Sequence, residues 1–199
     1  MSINPDMLEL IPLEEQIKRK KIFVGFALDK SGSMMDIRKE TISGVNEQID
    51  DIVESAKNAD VSVSLVTFAS RGEWSYFNEP IDKLEKLNSE NYVPSGNTSM
   101  YEGVGMLIDR LNSETKDLAS DSYSVLLIVI SDGMSNVNNP EYNSKSVAAK
   151  IKTLQDSGNW TFTYIGANQD LSKIQENLGI SPGNIMAFTA DSKGTTRGW

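Results

Sequence analysis

Asp29-Lys-Ser-Gly-Ser-Met-Met-Asp-Ile37 follows directly on the apolar run Ile22-Phe-Val-Gly-Phe-Ala-Leu28, and this junction decides the reading of the chain. The run is β-branched and aromatic without polar alternation. That is the pattern of a strand buried on both faces, as in a parallel sheet covered by helices. Where the strand should end, Asp29, Ser31 and Ser33 place one carboxylate and two hydroxyls at alternate positions. A short turn can aim all three oxygens at one point, and hard oxygens converging on one point suit a small hard cation.

Outward from this junction, strand and helix patterns alternate. Ile37, Val45, Ile49, Ile52, Val53 and Ala56 mark one face of a helix from Asp36 to about Lys57, with Asp36 as its N-cap. Val61 to Phe68 reads as a second strand, and Arg71-Gly72 as a hairpin turn into an edge strand, Glu73 to Phe77. Trp74, Tyr76 and Phe77 are expected to pack on a neighbouring helix. Residues 80–97, rich in Asn, Ser and Pro, read as mostly loop.

Met100, Val104, Leu107, Ile108 and Leu111 form a 3.6-residue stripe, so a helix is expected from near Thr98. A strand over 124–131, a helix from Ser144 to Gln155 closed by Gly158, and a strand from Trp160 to Ile165 follow. A helix from Leu171 to Leu178 ended by Gly179 and a short strand from Asn184 to Phe188 complete the pattern. Such alternation predicts an α/β fold: an open, mostly parallel sheet with one antiparallel edge strand and helices on both faces. Residues 1–20, with a short helix expected over Leu13 to Ile17, read as an N-terminal extension. Residues 21–190 read as the domain and 191–199 as a C-terminal tail.

Composition narrows the chemistry. The 199 residues suit one domain. Neither cysteine nor histidine occurs, which removes disulfides, thiolate metal sites, the commonest general base and Ser-His triads. Oxygen ligands remain, and they favour Mg²⁺, Mn²⁺ or Ca²⁺ over Zn²⁺. A net charge of −9 opposes nucleic-acid binding, and the basic cluster Lys18-Arg-Lys-Lys21 reads as a solvated lead-in to the first strand. No apolar run approaches the ~20 residues that span a bilayer, so no membrane partner is expected. The first 21 residues lack a signal-peptide pattern. A cytoplasmic location is therefore expected, and the absence of cysteine agrees with it.

Two further stretches supply oxygen: Gly96-Asn97-Thr98 and Ser131-Asp132-Gly133. Each alone is an ordinary turn or cap. Together they matter, because ligands of open parallel sheets bind outside the carboxyl ends of the strands. The first strand and the strand 124–131 both end on Asp, and the helix between them opens on Thr.

Asp29-x-Ser31-x-Ser33, Thr98 and Asp132 resemble, in order and spacing, the five-part metal-ion-dependent adhesion site of von Willebrand factor type A domains, the fold shared with integrin I domains. The resemblance covers about residues 21–190. It implies hydroxyl ligation by Ser31, Ser33 and Thr98, with Asp29 and Asp132 binding directly or through water. It implies Mg²⁺, with Mn²⁺ or Ca²⁺ as substitutes, and a last ligand from a Glu or Asp of a partner protein.

The implied function is a non-enzymatic, metal-dependent protein-interaction module. The chain is similar to bacterial or phage intracellular members linked to tellurite resistance and stress, which scaffold other enzymes. The alternative is a divalent-metal-dependent phosphohydrolase with Asp29 as nucleophile. Such an enzyme wants a second Asp two residues on, and Ser31 stands there. No Gly-x-x-x-x-Gly-Lys-Ser/Thr loop for a nucleotide occurs.

Overall fold

The apolar run before Asp29 is an interior strand of a six-stranded sheet. A computed structural model describes residues 20–56, 59–167 and 171–188. Its strands are β1 (Lys21–Asp29), β2 (Asp60–Phe68), β3 (Gly72–Pro80), β4 (Tyr123–Ser131), β5 (Trp160–Ala167) and β6 (Ile185–Phe188). Its helices are α1 (Arg38–Ser55), α2 (Met100–Thr115), α3 (Ser144–Asp156) and α4 (Leu171–Leu178). The strands lie in the order β3-β2-β1-β4-β5-β6. All neighbours are parallel except β2 and β3.

Both faces of β1 are covered, which is why it lacks polar alternation. Phe23 and Ala27 pack with residues of α2, α3 and α4, whereas Val24, Phe26 and Leu28 pack with Val45 and Ile49 of α1. Every residue of the α2 stripe is buried. The helix comes so close to β1 that a Cβ on Gly25 would sit 2.9 Å from Leu111 Cδ1. The expected fold class therefore describes the molecule.

Local boundaries differ in three places. A 3-10 helix, Gly32–Ile37, precedes α1, so Asp36 lies inside that helix; Ile37 holds the α1 cap position without a side-chain cap bond. Three residues per turn align Met34 and Ile37, and both turn inward onto Ala167. The first turn of α2 begins at Met100, leaving Thr98 just outside the helix. The edge strand β3 runs on to Pro80.

The β2–β3 register shifts twice, and Asn78 adopts φ 54°. These bulges bring Trp74 and Phe77 edge to face, with ring centroids 5.3 Å apart. Phe77 packs under Arg110 of α2, as expected, while Trp74 remains 38% exposed. The expected extension before Lys20, its short helix and the 191–199 tail lie outside the described residues. Among the described residues, no helix is long and apolar enough to cross a membrane.

Candidate metal centre

Strand register sets the site. Leu28 pairs with Ile130, Asp29 with Phe68 and Ser131 with Gly166, so Asp29 and Ser131 end level on adjacent strands. From β1 the chain turns to β2 on one side, while β4 lies on the other. The crevice between the carboxyl ends of β1 and β4 is thus a topological switch point, where open α/β sheets bind ligands.

Asp29 is fully buried, and both of its carboxylate oxygens accept hydrogen bonds. The Ser31 N–H donates to Oδ1 at 2.7 Å, and the Ser131 hydroxyl donates to Oδ2 at 2.5 Å. Burial pushes its carboxyl up from 3.8 to about 6, against these hydrogen bonds and with a smaller push from the charge of Asp132. From Ser31 a string of oxygens continues outward. The Ser31 and Ser33 hydroxyls lie 3.2 Å apart, and Ser33 donates to Asp132 Oδ1 at 2.8 Å. Four of the five expected site residues are therefore joined, directly or through one another.

Thr98 reaches the same rim through its backbone. Its N–H donates to Asn136 Oδ1 at 2.8 Å, and its carbonyl accepts from the Asn136 N–H and the Ser135 hydroxyl. On its other side, Gly32 N–H donates to Gly96 O at 3.1 Å, stitching the first loop to the Gly96-Asn97-Thr98 turn. Gly96 has φ 81°, and a Cβ there would lie 2.8 Å from Ser70 Oγ, so this turn needs glycine.

Three residues outside the motif hold it. Tyr92 is fully buried in the loop before Thr98, and its hydroxyl donates to the Asp29 carbonyl at 2.6 Å. Arg38 at the start of α1 donates to the carbonyls of Tyr92 and Ser89, fastening that loop. Ser131 braces Asp29, as described. Sequence reading missed Tyr92 and Arg38, and named Ser131 only as part of an oxygen-bearing turn. Only Ser131, next to Asp132 in a strand-ending turn, left a signal.

The donor set fits a small divalent cation and little else. Among the described residues, no three acidic groups cluster. The rim combines two carboxylates with the hydroxyls of Ser31 and Ser33, all hard oxygen donors, and Thr98 is stitched alongside through its backbone. Ser99 adds a buried hydroxyl with no hydrogen-bond partner beside Thr98. A buried carboxylate that burial disfavours as an anion has the electrostatics of a position that gains from a cation.

The family model for the von Willebrand factor type A domain matches residues 24–197. No curated protein sequence matches the chain. Among solved structures, similarity extends to a mussel byssus proximal thread matrix protein 1 with a zinc-occupied MIDAS motif. The two are 16% identical, with a TM-score of 0.57, over 87% of this chain and 42% of that one. A manganese-loaded TRAP protein of Plasmodium vivax is 16% identical, with a TM-score of 0.59, over 86% of this chain and 69% of that one. The vWF domain of the type V pili tip protein Mfa5 from Porphyromonas gingivalis is 13% identical, with a TM-score of 0.61, over 86% and 90% of the two chains. The chain spans 42% of the length of the mussel protein. At these identities the likeness is one of fold.

Proposed function

Because the chain belongs to the von Willebrand factor type A family, we propose that it is a metal-dependent protein-interaction module whose rim captures a carboxylate of a partner protein. The observation that carries this reading is the hydrogen-bonded string Asp29–Ser31–Ser33–Asp132 at the sheet's switch point, with Thr98 stitched alongside. Mg²⁺ is the ion assigned to Asp29, Ser31, Ser33, Thr98 and Asp132, with Mn²⁺ or Ca²⁺ as substitutes, because the donors are hard oxygens. Bound there, the cation supplies a Lewis-acidic acceptor for one more anionic oxygen, since two carboxylates only offset its charge.

The protein's own groups do the positioning. Ser31 N–H and Ser131 fix the Asp29 carboxylate, and Tyr92 fixes the strand end that carries it. Ser33, at the start of the 3-10 helix, leans on Asp132. A shift of Asp132 would therefore pull on the segment leading into α1.

The reading extends to a cytoplasmic scaffold or adaptor of the bacterial or phage stress and tellurite-resistance type. Residues 21–190 would form the module, with 1–20 and 191–199 flanking it. It is not an enzyme on this reading. A phosphohydrolase with Asp29 as nucleophile would want a second Asp two residues on as acid and base, and Ser31 stands there. Nucleic acid is opposed by the charge of −9.

The test is a pull-down from native lysate in magnesium, with EDTA added to half. Release of the captured protein by EDTA supports the module. Hydrolysis of a generic phosphate ester, lost in Asp29→Asn, would replace it with the enzyme.

A further inference from the structure

We propose that the cleft beside the metal rim is a second anion subsite, so that the preferred partner segment is a short acidic stretch and not a lone acid. The inference rests on the reading of the rim as a metal site that captures a carboxylate. The cleft holds about 290 Å³ and is lined by Lys30, Thr67, Ser70, Arg71, Ser95 and Gly96, with Glu73 at its wall.

It shares a wall with the rim. Lys30 stands between Asp29 and Ser31 in the chain, and its carbonyl accepts from Ser95 N–H at 2.7 Å. Its N–H donates to Phe68 O at 2.8 Å, which fixes the backbone where β1 leaves the sheet. Gly96, whose carbonyl receives the Gly32 N–H, lines the cleft too.

The charge of this cleft runs against that of the molecule. The chain carries −9, yet Lys30 and Arg71 face one acid, Glu73. Arg71 Nε holds Glu73 at 2.8 Å on the exposed side. Lys30 is half-buried and makes no ion pair with any described residue. Lining the cleft without an ion-pair partner among the described residues, Lys30 offers its charge to an anion that enters there. Ser70, Thr67 and Ser95 offer hydroxyls around it, so the cleft is polar as well as cationic. In an extended peptide, alternate side chains leave the same side roughly 6–7 Å apart. An acid two residues from the metal-bound one is thus presented to the same surface.

The probes are acetyl-Glu-Gly-Glu-amide and acetyl-Glu-Gly-Gln-amide, titrated by NMR into the full chain in Mg²⁺ at low ionic strength. The diacid is expected to bind about three- to fivefold more tightly, the size of a partly exposed ion pair. That ratio should fall towards one in Lys30→Gln and decline in Arg71→Gln. Equal binding of the two peptides to the wild-type chain overturns the subsite and leaves the metal reading standing. So does a ratio unchanged in both variants. Failure of calorimetry to detect Mg²⁺ binding, or peptide binding that survives EDTA or is absent in Mg²⁺, overturns the metal reading itself.

Discussion

Asp29 and Asp132 occupy similar places in the sequence, each closing a long apolar strand, yet the fold treats them in opposite ways. Asp29 is the last residue of β1, fully buried, with each oxygen held. Asp132 lies one residue beyond β4, half-buried, and accepts from Ser33 through one oxygen. A one-residue offset produces the difference. Ser131, not Asp132, is level with Asp29, and its hydroxyl fills the space a second buried carboxylate would otherwise take. Two adjacent buried carboxylates would repel each other in a medium that screens poorly. The pair teaches that one acid is part of the framework, while the other sits on a hydrogen bond it can exchange.

The sharpest way to break this comparison is to remove the framework acid. Asp29→Ala is expected to abolish Mg²⁺ binding by calorimetry while the metal-free melting temperature stays within a few degrees, because no apolar core contact is lost. Unchanged affinity would remove Asp29 from the site. The pH dependence of the metal-free protein sharpens the same point. The Asp29 carboxyl is raised from 3.8 to about 6, so between those values the folded chain holds a proton that the unfolded chain has lost. Metal-free stability should therefore fall as pH rises through that window, by roughly 3 kcal/mol in all, and then level off. Asp29→Asn should flatten the slope in urea titrations at stepped pH. A slope that survives this substitution belongs to another group.

The exchangeable acid should behave differently. Asp132→Ala is expected to weaken Mg²⁺ binding by roughly ten- to hundredfold, the range for groups that act at one remove from a metal. Stability without metal should hardly change, since its hydrogen bond with Ser33 lies at the surface. Calorimetry on both variants ranks them. If Asp132→Ala abolished binding as fully as Asp29→Ala, the two acids would be equivalent and the contrast would fail.

Much of this was legible because it is periodic. Strands at 22–28 and 124–131 and the helical stripe from Met100 to Leu111 follow from burial on two faces or one. The oxygen motif was legible because its parts sit at strand ends and a helix start. Asp36 misled because a capping residue and a residue inside a 3-10 turn look alike in sequence. The difference is made by Met34 and Ile37 turning onto Ala167, a contact about 130 residues away along the chain that no local pattern encodes. Tyr92 was illegible for the same reason. It stands in a Pro- and Asn-rich stretch where aromatic residues carry no period, and its partner, the Asp29 carbonyl, is 63 residues distant.

Tyr92 also offers the finest probe of the framework. Its hydroxyl bonds the Asp29 carbonyl at the point where β1 ends, and its ring is fully buried behind the metal loop. Burial raises its phenol far above the usual range, aided by the negative charge of Asp29, so it stays a neutral donor. Tyr92→Phe keeps the ring and removes only the donor. The expected cost is about 1 kcal/mol in urea unfolding, typical of one buried hydrogen bond. If the strand end orients the carboxylate, Mg²⁺ affinity should also drop, by less than for Asp132→Ala, and an unchanged affinity with reduced stability would make the Tyr92 hydroxyl a structural brace with no part in metal binding. The carbonyl it holds belongs to Asp29 and not to Asp132, so the loss should persist in an Asp132→Ala background, where binding is weakened but still measurable, and add to the loss from that substitution. Tyr92 thus separates the framework acid from the exchangeable one without touching either carboxylate.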